Sequence, residues 1–213
     1  MTLVGFKRAT IGVFGKDGKC TKKYVVEGVQ DKGATKEAEI TGLNKEPKKI
    51  YGSDIAYHVA QKGTGDVEVN LGILDLPENA SDEILGYAIA QSGITYIGEQ
   101  TEAPFCSIML ESSTMQGETA KFSILKGKFS KESIKMNTLE GDDSEPEADS
   151  YKFAAVSADQ EGEAKGQVVA KYFGKEETAL KKMDEITFPG LSTTPPVETP
   201  PTENNDKAGK KTN

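Results

Sequence analysis

Few residues in this chain of 213 have the chemistry and spacing that catalysis or metal binding requires. His58 is the only histidine, and a catalytic histidine needs an orienting acid and a nucleophile beside it. We therefore expect His58 to be structural. Cys20 and Cys106 are far apart and fit no metal-binding or redox motif, so we expect free thiols in a reducing compartment.

The other candidate sites are equally weak. The acidic run at 140–149 lacks the ordered ligand spacing and twelfth-position Glu of an EF-hand, so we expect a solvated surface loop. The glycines at 12–15 and 63–65 are not placed between a strand and a helix, as a phosphate-binding loop requires. We expect no catalytic residue, no metal site, no cofactor and no enzymatic activity.

The composition indicates a chain with little apolar material for a core of its own. Leu, Ile, Val and Phe make up 44 of the 213 residues, which is near the lower limit for a chain that folds alone. Two explanations fit, and we expect both to apply: part of the chain is disordered, and the fold completes its burial against copies of itself. The net charge of −8 argues against a protein that binds DNA through its phosphates, although DNA could still move past such a surface.

Two segments alternate apolar and polar residues with the period of two that is typical of β-strands. A sheet built from such strands has one apolar face and one polar face. The apolar sets are Val67, Val69, Leu71 and Ile73, then Ala38 and Ile40; the polar sets are Glu68, Asn70 and Gly72, then Glu37, Glu39 and Thr41. The function is therefore expected to depend on this surface and its packing.

Strand patterns dominate the rest of the chain and predict a mainly β fold. The predicted strands are 7–14, 21–28, 34–43, 66–74, 105–110, 120–129, 133–137, 151–157 and 167–173. We expect a hairpin at the turn 15–18, and another between the strands 119–129 and 133–137. Two short helices are predicted at 77–87 and 175–185, and Gly86 should end the first one early.

The segment 44–65 is predicted to be a long irregular connection, which in a compact domain is usually functional or disordered. It carries Ile50, Tyr51, Ile55 and Tyr57, and such side chains imply that something covers them.

The two ends of the chain are predicted from composition. Residues 1–190 are predicted to form one domain, and the Pro- and Thr-rich residues 191–213 a disordered tail. The first eight residues lack the pattern of a signal peptide, and no apolar run is long enough to cross a membrane. We therefore expect synthesis in the cytoplasm and no contact with a membrane.

Nine short motifs, taken together in their order and spacing, resemble one known family over roughly residues 1–190. They are LVGFKRA at 3–9, GATKEA at 33–38, PKKIYGSD at 47–54, GTGDV at 63–67, LP at 76–77, ILGY at 84–87, GITYIG at 93–98, APFC at 103–106 and KGKF at 126–129. The family is the major tail protein, or tail tube protein, of long-tailed, non-contractile phages that infect low-GC Gram-positive bacteria.

The resemblance implies a β-sandwich with one or two short flanking helices. It implies hexameric rings that stack around a tape-measure protein, with an inner β-barrel through which DNA passes without specific binding. It also implies contacts with tail terminator and distal tail proteins, assembly in the host cytoplasm and a final location in the virion tail.

On this basis we predict two functional surfaces. Glu37, Glu39 and Glu68 should face the lumen of the tube, because they alternate with apolar positions. Ile50, Tyr51, Ile55 and Tyr57 should lie in a contact between subunits or between rings. The alternative is a β-sandwich binding module that recognises a ligand on the host surface.

Overall fold

The computed structural model describes residues 2–136, 138 and 147–191. The fold is mainly β, with antiparallel strands in a sandwich-like arrangement and two short helices. The strands are β1 (Leu3–Phe14), β2 (Cys20–Val26), β3 (Ala34–Thr41), β4 (Lys48–Gly52), β5 (Ile55–Ala60), β6 (Glu68–Leu74), β7 (Ala88–Ile89), β8 (Thr95–Tyr96), β9 (Cys106–Thr114), β10 (Thr119–Ser130), β11 (Asp149–Ala155) and β12 (Val169–Gly174). The helices are α1 (Glu78–Leu85) and α2 (Glu177–Thr187).

Eight strands form one sheet in the order β2-β1-β9-β10-β11-β6-β3, with β12 also paired to β10. The first half of β10 pairs with β9 and β12, and its second half pairs with β11. The sheet therefore bends at β10, where the register shifts between Ile124 and Gly127. Gly127 is required at this bend, because a Cβ there would lie 2.4 Å from the carbonyl oxygen of Ala154.

The bend folds the sheet over so that β3 comes close to β1, and the hydroxyl of Thr35 donates a hydrogen bond to the carbonyl of Phe6 at 3.0 Å. The apolar side chains of β6 are enclosed between the two halves of the sheet, as their alternation predicts. Val69, Leu71 and Ile73 are at most 1% exposed.

The helix α1 follows β6 and contributes Ile84 and Leu85 to the same core. It ends where the sequence predicts, because Gly86 adopts the left-handed conformation with φ of 72°. The N–H of Tyr87 then donates to the carbonyl of Asp82 at 2.9 Å. A Cβ at residue 86 would lie 2.0 Å from the carbonyl oxygen of Glu102, so only glycine fits.

The helix α2 packs on the other face of the sheet, away from the main core. Met183 and Phe188 bury against Cys20 and Met109. The buried hydroxyl of Thr187 lies 2.8 Å from the hydroxyl of Ser123 and 2.6 Å from the carbonyl of Met183. No helix in the described part of the chain is long and apolar enough to span a membrane.

Three predictions about secondary structure need correction. Residues 133–136 have no regular structure, and residue 137 lies outside the described residues, so the predicted strand 133–137 and its hairpin are wrong. Both edges of β10 are already occupied by β9, β11 and β12. The segment 44–65 is also not irregular throughout, since β4 and β5 form a hairpin within it.

One further prediction is confirmed, and two others concern residues that lie mostly or wholly outside the described ranges. The hairpin at 15–18 is confirmed, with β1 and β2 antiparallel. Most of the acidic run 140–149 and the tail 192–213 lie outside the described residues.

Candidate functional site

The polar face of the sheet brings together three acidic side chains from two neighbouring strands. In the pairing of β3 with β6, Glu37 is opposite Gly72, Glu39 is opposite Asn70 and Thr41 is opposite Glu68. Directly paired residues project from the same face of a sheet. The register therefore places Glu37, Glu39 and Glu68 on one face, opposite the buried side chains of β6.

A lysine from the next strand reduces the charge on this face. Lys152 of β11 is opposite Asn70, and its ammonium lies 3.1 Å from a carboxylate oxygen of Glu68. Glu37 and Glu39 form no ion pair with any residue that the structure describes. The face is therefore acidic but contains a positive charge at one position.

The predicted apolar partners of β3 line a cleft. Ile40 packs against the edge of the core, whereas Ala38 is exposed. Both belong to an apolar cleft of about 380 Å³ that opens between β3 and the strands β1, β9 and β10. Its other apolar lining residues are Leu3, Phe6, Leu43, Leu110 and Phe122.

The hairpin of β4 and β5 carries the four predicted contact residues. It turns through Ser53 and Asp54, whose positive φ angles of 51° and 63° match a two-residue turn with the twist that hairpins favour. At its base, the N–H of Gly65 donates to the carbonyl of Gly42 at 2.9 Å. Ile50, Tyr51, Ile55 and Tyr57 are between 48% and 80% exposed, so nothing in the described part of the chain covers them.

A second apolar hairpin, formed by β7 and β8, was not predicted from the sequence. It carries Ile89, Ile94, Tyr96 and Ile97, which are between 54% and 60% exposed. The turn residues Ser92 and Gly93 between apolar positions are the signal that could have revealed it.

The second hairpin is held against α1 by a partly buried hydrogen bond. The hydroxyl of Thr95 donates a hydrogen bond of 2.7 Å to the carboxylate of Asp82, which is largely buried. The N–H of Ala90 donates to the carbonyl of Ile94 at 2.9 Å within the hairpin itself. The apolar surface is therefore presented on a fixed element rather than on an unstructured loop.

The residues considered first for catalysis do not form an active site. Burial raises the pKa of Cys106 to about 12 and that of Cys20 to about 11, so both thiols are protonated at neutral pH and are poor nucleophiles. His58 lies on the exposed β5 strand opposite Ile50. No group of residues suited to holding a metal ion is found in the described ranges.

Comparison with known proteins gives one match. A protein-family model described as phage tail tube protein matches residues 1–195. No curated protein and no solved structure matches the chain.

Proposed function

The chain belongs to the phage tail tube protein family, and we propose that it self-assembles into stacked hexameric rings that form the conduit for DNA ejection. It is a structural protein of the virion tail, in a family whose members assemble as oligomers with other tail proteins. In the proposed assembly the rings enclose a tape-measure protein, and strands from six subunits close into an inner barrel.

The polar face of β3, β6 and β11 supports the proposed lumen. It carries Glu37, Glu39 and Glu68, which face away from the core. A wall with excess negative charge repels DNA phosphates, and salt screens this repulsion beyond about 8 Å at physiological ionic strength. The ion pair between Lys152 and Glu68 makes Glu37 and Glu39 the main source of the repulsion.

The apolar side chains of the β4–β5 hairpin are the observation that carries the assembly proposal. The pairing of β4 with β5 places Ile50 and Tyr51 on one face of the hairpin and Ile55 and Tyr57 on the other. Large exposed apolar side chains on both faces of one hairpin are unusual for a monomer and are typical of interaction sites. A neighbouring subunit or ring that covers the hairpin would bury them, and each such burial contributes roughly 1.5–3 kcal/mol.

The remaining parts of the proposal concern partners and context. The phage is non-contractile and infects a Gram-positive host, and the tube assembles in the host cytoplasm between tail terminator and distal tail proteins. In this proposal residues 192–213 lie on the outside of the tube, because a chain segment in the lumen would obstruct DNA. Truncation after residue 191 should therefore leave tubes of normal length and diameter.

Electron microscopy of the purified protein tests this proposal. Concentrated protein should form rings or tubes in negative stain, and size-exclusion chromatography should show species much larger than one subunit. A stable monomer at high concentration that binds a host-surface ligand would contradict the proposal and favour a binding module.

A further inference from the structure

The two apolar hairpins lie at opposite ends of the sandwich. Thr41 at the end of β3 pairs with Glu68 at the start of β6, so the β4–β5 hairpin between them projects from that end. Ala34 and Leu74 pair at the other end, and α1 with the β7–β8 hairpin follows from there. The seven residues of β6 separate the two ends by about 20 Å.

The two ends of the core also differ in how they are closed. At the β7–β8 end, Ile84 and Leu85 of α1 pack into the core and close it. At the β4–β5 end, the apolar cleft beside Ile40 and Leu43 stays open between the two halves of the sheet. One end of the molecule therefore presents an apolar projection, and the other presents both a projection and an apolar cleft that none of the described residues fills.

The charges of the two ends are complementary. Residues 75–102, which contain α1 and the β7–β8 hairpin, include six acidic residues and no Lys or Arg. Glu83 and Glu102 are paired with Lys22 and Lys128, and Asp82 is largely buried. The exposed acids without an ion pair among the described residues are Asp75, Glu78 and Glu99. Residues 44–65 at the opposite end include four lysines and two acidic residues.

From these observations we propose that the β7–β8 hairpin of one copy docks into the open cleft of a second copy. The second copy is the favoured occupant because the acidic end of one chain complements the basic end of the next in both charge and apolar surface. A contact between different patches is heterologous, and it repeats head to tail. The proposal rests on the proposed tube assembly and identifies which surfaces meet along it.

Cysteine cross-linking in assembled tubes tests this contact. One variant combines Ile94→Cys with Leu43→Cys, and a second combines Ile94→Cys with Leu3→Cys, so that two positions on the cleft are sampled. The native thiols Cys20 and Cys106 are buried and do not compete. The matched control combines Ile94→Cys with Ile134→Cys, because Ile134 is also exposed but is not part of the cleft.

Mild oxidation or a short bismaleimide should convert at least one cleft variant into a ladder of three or more linked chains on a denaturing gel. A disulfide within one copy is excluded, because it needs Cα atoms within about 7 Å. The control and the single variants should give no ladder.

The outcomes separate this inference from the proposed function. Tubes of normal appearance that give no ladder from either cleft variant would overturn the docking and leave the tube function standing. Failure of the unmodified protein to form rings or tubes would overturn the tube function, and the docking with it.

Discussion

The ammonium of Lys121 lies 3.0 Å from a carboxylate oxygen of Asp184, and this ion pair connects the sheet to α2. The same ammonium lies 3.2 Å from Oε1 of Glu111, whose Oε2 accepts a hydrogen bond of 2.6 Å from Arg8. Lys121 and Glu111 are both nearly buried. Glu111 therefore holds two cations, one on each neighbouring strand, and its loss would leave a buried ammonium with one partner.

Glu111→Gln should lower the free energy of unfolding by about 1–3 kcal/mol, because the nearly buried ammonium of Lys121 would keep only Asp184 as a partner. Urea denaturation monitored by circular dichroism measures this change. The control Glu161→Gln removes an exposed i,i+4 pair with Lys165 and should change stability by less than about 0.5 kcal/mol. Equal changes in the free energy of unfolding for the two variants would show that the ion pairs of Glu111 do not stabilise the fold.

Gly127→Ala should destabilise the fold by about 1–3 kcal/mol, because the added methyl group would collide with the backbone of β11 at the bend of the sheet. The thermal midpoint should fall by several degrees in calorimetry. Gly98→Ala is the matched control, since a Cβ at residue 98 meets no atom within 4 Å. An unchanged midpoint for Gly127→Ala would mean that the bend can relax.

Cys20 and Cys106 should resist alkylation by iodoacetamide at pH 8 in the native protein. Burial raises the pKa of both thiols, to about 11 and about 12, so the reactive thiolate is scarce at that pH and the sulfur is also shielded. Both should be labelled at pH 8 in concentrated urea, where mass spectrometry can count the modifications. Rapid labelling of the native protein would show that the sheet opens locally at β1, β2 and β9.

The local pattern of the sequence predicts which side chains are buried better than it predicts which strands pair. The alternation around Val69 and Leu71 identifies the buried face of β6 without any knowledge of the fold. The alternation of Ile134 and Met136 looks similar, yet residues 133–136 form no strand. Whether such a segment becomes a strand depends on a free neighbouring edge, and β10 offers none.

The two exposed hairpins show a second limit. The turn of β4 and β5 uses Ser53 and Asp54 at positive φ, without the Gly or Asn that usually signals such a turn. The strands β7 and β8 are two residues each, which is too short for periodicity to reveal. The grouping of Glu37 and Glu39 with Glu68 likewise depends on the register of β3 against β6, which is set by tertiary packing.

The double variant Glu37→Lys and Glu39→Lys should assemble into normal tails but slow or block genome ejection. Two positive side chains on the proposed lumen would attract DNA phosphates instead of repelling them. The rate of DNA release from purified phage measures the effect. Glu163→Lys with Glu185→Lys makes the same charge change at exposed positions on α2 and on the loop that packs beside it, and should leave ejection unchanged. Normal ejection from intact Glu37→Lys, Glu39→Lys tails would exclude these residues from the lumen.

The double variant Tyr51→Ser and Tyr57→Ser should fold normally but fail to polymerise. Both rings are largely exposed in the single chain, so their loss should change the free energy of unfolding by less than about 0.5 kcal/mol. In an assembled tube, however, the same change would remove the apolar area that the neighbouring copy covers. Deletion of residues 48–60 should have the same outcome more completely, since the base of the hairpin at Gly42 and Gly65 is retained.

The control for the hairpin is Ile134→Ser with Met136→Ser, which removes two exposed apolar side chains outside both hairpins. Tube length in negative stain and the sedimentation of the protein distinguish the variants, while urea denaturation confirms that each one folds. Because the hairpin and the control lose comparable apolar surface, a defect confined to Tyr51 and Tyr57 would locate the contact on β4 and β5. Tubes of wild-type length from both hairpin variants would contradict this assignment.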